Sequence, residues 1–199
     1  MIAKAVRLYN DSYVFPNRYR VLTEQLSEYL LSSTKVLDVG SSNGKLADTL
    51  IKANSKLQIT GVDTHVLSPQ YIHIDSYDGK HLPYQDNAFD TAMVIDVLHH
   101  DEEIEKVLIE VMRVTTRYIL IKDHYFNNIF ERAGLYFADF LGNAPYGIKL
   151  PYNYLNQTQW DHLFQKLKLK VVAKKKFRYS PTDITKNVIY FLEKTTGTI

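Results

Sequence analysis

Residues 35–46 read Lys35-Val36-Leu37-Asp38-Val39-Gly40-Ser41-Ser42-Asn43-Gly44-Lys45-Leu46, and this stretch decides the fold. Val36, Leu37 and Val39 form a short apolar run bounded by turn residues, the pattern of a strand buried on both faces in a parallel sheet. Residues 40–44 are small or polar and favour turns and positive φ, and an amphipathic pattern begins at Leu46. The stretch therefore predicts a strand, a tight turn and a helix. Such a turn brings backbone N–H groups and a helix N-terminus to the carboxyl end of a strand, where open α/β sheets bind ligands. The G-x-G-x-x-G spacing of a dinucleotide site is absent. Asp38, at the strand end, would repel a pyrophosphate and suits a cationic ligand. Taken alone, these residues also fit a plain turn with no nucleoside ligand.

Composition narrows the class. A chain of 199 residues with 45% hydrophobic and 23% charged residues is expected to form one soluble domain, residues 1–199, with a proper core. No run approaches the ~18 apolar residues of a membrane span, and residues 1–15 lack the apolar region of a secretory signal. With no cysteine, disulfides, thiolate metal sites and a cysteine nucleophile are excluded. A cytoplasmic location is the expectation. A formal charge of +2 is too small to argue for nucleic acid.

Working outward, residues 17–32 carry Leu22, Leu26, Tyr29 and Leu30 at helical spacing. Residues 45–53 read as a crossover helix and 56–62 as a second strand ending in Gly61-Val62-Asp63. Asp63 falls about 20 residues beyond the glycine turn, where a strand-end acid accepts hydrogen bonds from ribose hydroxyls. An Asx turn or helix cap is its plainer role. Residues 71–74 predict a third strand, 75–79 a loop with Asp78 and Gly79, and 89–95 a buried strand ending at Asp96. Asp101 reads as the N-cap of a helix with Ile104, Val107, Leu108, Val111 and Met112 on its buried stripe. Residues 118–122 predict a fifth strand ending at Asp123 and His124. An aromatic helical region follows, with a turn at 142–147. Thr158, with Asp161 in a capping box, opens another helix. Residues 166–176 predict an edge strand with Leu167, Leu169 and Val171 inward and lysines outward, and 188–192 a last strand.

Asp38-x-Gly40-x-Ser42-x-Gly44 resembles the D/E-x-G-x-G-x-G motif of class I S-adenosylmethionine-dependent methyltransferases, with Ser42 in place of the middle glycine. Residues 77–100, YDGKHLPYQDNAFDTAMVIDVLHH, resemble the corresponding stretch of small-molecule and ubiquinone-pathway enzymes of that family. The resemblance spans roughly residues 33–125. It implies an α/β, Rossmann-like, doubly wound seven-stranded sheet with a final antiparallel hairpin. It also implies S-adenosylmethionine as cofactor and S-adenosylhomocysteine as product. The implied cofactor residues are Asp38, Gly40, Ser41, Ser42, Gly44, Asp63, Thr64, Asp78, Gly79, Asp96 and Val97. The insertion at about 125–156 would then sit over the cleft mouth as an aromatic lid, although packing against the sheet explains the same residues.

The activity implied is methyl transfer to a small molecule, which the lid would allow to be hydrophobic. His124, at a strand end, is the first candidate base, followed by His99 and Asp123; a structural role fits His124 equally well. No metal is expected, because adjacent His99 and His100 point apart and no H-E-x-x-H spacing occurs. A module that binds the cofactor or a partner without turnover is one rival, and an RNA or protein methyltransferase another. Nucleic acid is disfavoured, because Asn143-Ala144-Pro145-Tyr146 follows the wrong strand to act as an N-P-P-Y motif.

Overall fold

The computed structural model describes residues 8, 10–143, 151–180 and 183–195. Its strands are β1 (Lys35–Val39), β2 (Gln58–Asp63), β3 (Ile74–Ser76), β4 (Phe89–Ile95), β5 (Thr115–His124), β6 (Leu169–Phe177) and β7 (Asn187–Lys194). They form one sheet in the order β3-β2-β1-β4-β5-β7-β6. The pairs from β3 to β5 are parallel, and β7 runs antiparallel to both β5 and β6. The α/β alternation and the closing hairpin thus appear as expected. Strand order reverses between β1 and β4, the switch point at which such sheets open a crevice.

The helices are α1 (Phe15–Leu26), α2 (Lys45–Ala53), α3 (Ile104–Val114), α4 (Ile129–Asn143) and α5 (Gln157–Lys166). Period-two alternation divides each strand between two cores. Leu37, Val39, Ala92, Val94, Ile119 and Ile121 pack with Leu108 and Val111 of α3 and Trp160 and Phe164 of α5. Val36, Met93, Ile95 and Leu120 pack with Leu22 and Leu26 of α1 and Leu46 and Leu50 of α2 on the opposite face. Both faces are covered, which is why the central strands carry buried apolar residues on both faces.

Several elements depart from expectation. The third strand is shifted onto Ile74–Ser76, where it pairs with Gly61–Asp63, while the Tyr71 amide bonds the Asn43 carbonyl. Asp101 does not cap α3; its carboxylate accepts from the Glu103 amide at 2.6 Å in an Asx turn, and the helix begins at Ile104. Asn156 rather than Thr158 caps α5, in a reciprocal capping box with Gln159. Val171 is 41% exposed, because a register shift between Val171 and Ala173 breaks the alternation of β6. Gly142 and Asn143 end α4, and residues 144–147 of the expected turn lie outside the described residues.

Candidate functional site

The turn after β1 has the backbone that its glycines imply. Gly40 and Gly44 sit at φ +74° and +76°, and a Cβ on Gly40 would lie 2.3 Å from Val97 Cγ2. Glycine is therefore required at position 40 both by its left-handed backbone and by the close approach of the segment after β4. Ser42 also adopts positive φ, 57°, so a serine tolerates the conformation of the glycine it replaces. Its amide donates to Asp63 Oδ2 at 2.6 Å, and the other Asp63 oxygen accepts from the His65 amide at 2.8 Å. Asp63 thus joins the end of β2 to the turn, and each oxygen keeps lone-pair capacity for a further donor.

Asp38 is only 3% exposed, and no hydrogen-bond donor among the described residues stabilises its charge. Burial pushes its carboxyl up to about 8, with the neighbouring Asp63 adding to the rise and Arg18 opposing it. Thr64 lies beside Gly79, whose Cβ would come 3.3 Å from Thr64 Cγ2. Asp78 closes an exposed turn by accepting from the Lys80 and His81 amides at 2.8 Å each. Ser41 is buried beside Gly61, which lacks the Cβ that would meet its hydroxyl. A cleft of about 700 Å³ adjoins the turn, lined by Tyr19 and Thr23 of α1, Asn43, Lys45 and Tyr71. A larger groove of about 950 Å³ lies between α3 and α5, and the strand-end acids line neither cavity.

Asp96 occupies a different environment. It follows β4 at φ 57°, and its carboxylate is shared between Arg18 of α1, at 2.8 Å, and the fully buried Lys122 of β5. Burial alone would raise the Asp96 pKa, but Lys122 and Arg18 hold it well below the carboxylate range. Asp96, beside Val97, is thus engaged by two cations of the fold. A lysine within the apolar run Tyr118–Lys122 is the signal that points to these ion pairs.

On the opposite face of β5, Asp123 accepts from His99 Nδ1 at 2.6 Å, and both side chains are buried. Burial would raise the Asp123 pKa, yet His99 holds it lowered, so the carboxylate fixes the imidazole with its proton on Nδ1. His99 stacks on Tyr154 at 4.9 Å and lies edge-on to His124 at 5.4 Å. Tyr136 of α4 meets Tyr152 at 4.7 Å and Tyr154 at 5.8 Å, so the aromatic insertion reaches the histidines. Burial drives His124 down to about 3, with the Lys122 cation adding to the effect. The structure therefore brings all three candidate bases together in different surroundings. His99 has the carboxylate partner of a working base, whereas His124 is a poor proton acceptor.

Donor atoms of Asp96, His99 and Asp123 lie within 4.8 Å of one another, close enough to share a cation. Arg18 and Lys122 already neutralise Asp96, and His99 already pairs with Asp123. For S-adenosylmethionine the donor chemistry fits. Asp38, uncompensated and at the mouth of a glycine turn, suits a sulfonium or ammonium cation, and Asp63 suits ribose hydroxyls.

Residues 37–118 match a family model described as a methyltransferase domain. No curated protein matches the chain by sequence. Among solved structures, the 1,6-didemethyltoxoflavin-N1-methyltransferase of Burkholderia thailandensis, solved with S-adenosylhomocysteine, superposes with a TM-score of 0.69 at 14% identity. That match covers 96% of this chain and 86% of that one. A chain complexed with a methyltransferase activator from Haloferax volcanii gives 0.65 at 11% identity, covering 98% and 99%. The [4+2]-cyclase SpnF gives 0.65 at 17% identity, covering 88% and 80%.

Proposed function

We propose that this chain is a class I S-adenosylmethionine-dependent methyltransferase and that it methylates a small molecule held between the glycine turn and the aromatic insertion. The family rests on the methyltransferase-domain match and the fold. The cofactor is S-adenosylmethionine, whose sulfonium supplies an already activated methyl group. Asp38, Gly40, Ser41, Ser42 and Asp63 would hold it, with Asp78 and Gly79 at the far side. The observation that carries the reading is Asp38, a buried carboxyl with no hydrogen-bond donor among the described residues, placed where a cation would supply a partner.

The remaining chemistry belongs to the acceptor. Aligning two reactants can lower a barrier by ~7–11 kcal/mol, whereas a positioned base adds ~10²–10⁴-fold. Tyr136, Tyr152 and Tyr154 offer aromatic walls for orientation. His99 Nε2 is the candidate base, with Asp123 holding the ring in place.

Binding is tested first by thermal shift. At about a hundred times its Kd, S-adenosylhomocysteine should add ~2.7 kcal/mol, or roughly 5–10 °C. NAD should add nothing, and a larger shift with NAD would overturn the cofactor reading. Incubating the protein with labelled S-adenosylmethionine and metabolite pools would then identify the acceptor. One structural neighbour is a [4+2]-cyclase, which makes cofactor binding without methyl transfer the second reading. Tight binding with no labelled product across metabolite, RNA and protein pools would favour it.

A further inference from the structure

Methyl transfer leaves the outer face of α4 unused. Ile129, Phe130, Phe137 and Phe140 are 67%, 84%, 61% and 53% exposed, and Ala133 is exposed among them. At ~100° per residue these five positions fall within about 100° of the helix circumference. Leu135, 3% exposed, lies on the opposite side and anchors the helix to the body of the protein. Single apolar residues on a surface are ordinary, but three phenylalanines on one stripe form a contiguous patch of the kind that marks a docking site.

Cations surround the base of this helix. Lys176 Nζ lies 4.5 Å from the centroid of the Tyr125 ring, and the next ring, Phe126, lies 5.5 Å from the Arg132 guanidinium. Lys186 pairs with Glu131 in the first turn of α4 at 2.6 Å, tying the loop before β7 to the helix. On that loop Ile184 is 63% exposed, and Arg178 donates to the Asp183 carbonyl at 3.1 Å. Among the described side chains, four cations, Arg132, Lys176, Arg178 and Lys186, thus face two acids, Glu131 and Asp183. An apolar stripe rimmed by excess positive charge complements a surface with hydrocarbon beneath and phosphate above. The same excess on two copies would oppose pairing of the chain with itself through this face.

We propose that α4 and the loop containing Ile184 dock this protein peripherally on an anionic lipid bilayer, with the phenylalanine stripe in the interfacial region and Lys176, Arg178 and Arg132 against lipid phosphates. The docking does not depend on the reaction. It would nevertheless turn the chamber toward the lipid, because α4 follows β5 and its Tyr136 reaches Tyr154 beside His99.

Flotation of the full chain with phosphatidylcholine vesicles, with and without phosphatidylglycerol, tests this. Retention should require phosphatidylglycerol and fall as salt is raised. The double variant Phe130→Ser/Phe137→Ser should lose retention while keeping its melting temperature within a few degrees, since both side chains are exposed. Lys176→Glu/Arg178→Glu should weaken binding at least ~10-fold. Lys56→Glu, an exposed cation at the far end of the sheet, should leave it unchanged. Absence of binding to either vesicle type overturns the proposal. So does retention unaffected by the phenylalanine changes, or a dimer in light scattering that those changes dissolve while vesicles are ignored.

Discussion

The substitution Asp38→Asn separates what this residue costs the empty fold from what it contributes to the ligand. An unfolded aspartate titrates near ~3.9, whereas burial and Asp63 hold Asp38 at about 8 in the folded chain. Between those values the folded protein carries a proton that the unfolded chain has lost. Stability therefore falls as pH rises through this window, by up to ~1.4 kcal/mol per pH unit. From pH 6 to pH 8 the loss comes to ~2 kcal/mol, or roughly 4–8 °C in melting temperature for a chain of this length. The substituted amide has no charge to bury, so the variant should melt above wild type at pH 8 and lose that advantage toward pH 4. Its affinity for S-adenosylmethionine should nevertheless drop ~10- to 100-fold, because a cation loses its buried carboxylate partner.

Melts from pH 4 to pH 8.5 with and without ligand measure both effects on one preparation. Calorimetry in buffers of different ionisation enthalpy adds a third, since binding a cation beside Asp38 should release a proton near neutral pH. Parallel pH–stability curves for the two proteins would refute the claim that Asp38 is buried without compensation. Unchanged affinity in the variant would remove Asp38 from the cofactor site, whatever the stability data show.

Lys122→Met leaves Asp96 with Arg18 alone and should destabilise by ~3–5 kcal/mol, lowering the melting temperature by about 10 °C; adding Asp96→Asn should recover part of this in urea melts. Asp63→Ala removes the acceptor of the Ser42 and His65 amides and a ribose contact, so calorimetry should show S-adenosylhomocysteine affinity reduced ~10- to 100-fold in a folded protein. Once an acceptor is known, His99→Gln should lower turnover by ~10²–10⁴ at unchanged cofactor affinity, and the acid limb of its pH–rate profile should disappear. His124→Gln should change turnover only in proportion to the folded fraction. It should also flatten the loss of stability between about pH 6.5 and pH 3, where the unfolded chain gains a proton that buried His124 refuses.

Sequence revealed what short-range chemistry determines. Val36, Leu37 and Val39 specify a buried strand, and Gly40 and Gly44 specify positive φ, so β1, the turn and α2 could be read within a residue or two. The third strand could not, because its place is chosen by a partner. Gly61 lacks a Cβ, which would lie 2.9 Å from Ile74 Cγ1, and Ile74 therefore packs there while Tyr71 pairs with the turn instead. Overlapping capping signals at Asn156 and Thr158 look alike in sequence, and the structure uses the earlier one. The Arg18–Asp96 and Lys122–Asp96 contacts join residues 78 and 26 apart, a separation that no local pattern reports.

Three acids on neighbouring strands show why a site is only half written in its motif. Asp38 lies near the end of β1 with no ion pair among the described residues, Asp96 follows β4 with two, and Asp123 lies on β5 with a histidine. In sequence each is an aspartate near the end of an apolar run. Their surroundings push them apart, with Asp38 toward the neutral form and the other two toward the carboxylate. Residue parity on β5 creates much of the difference. Lys122 points to the α1 side and claims Asp96, whereas Asp123 points to the α3 and α5 side and claims His99. The same Lys122 cation that secures the fold beneath Asp96 also helps keep His124 uncharged. Of the three acids, Asp38 alone has no side-chain hydrogen-bond partner among the described residues, and a sulfonium at the glycine turn would supply a cationic one.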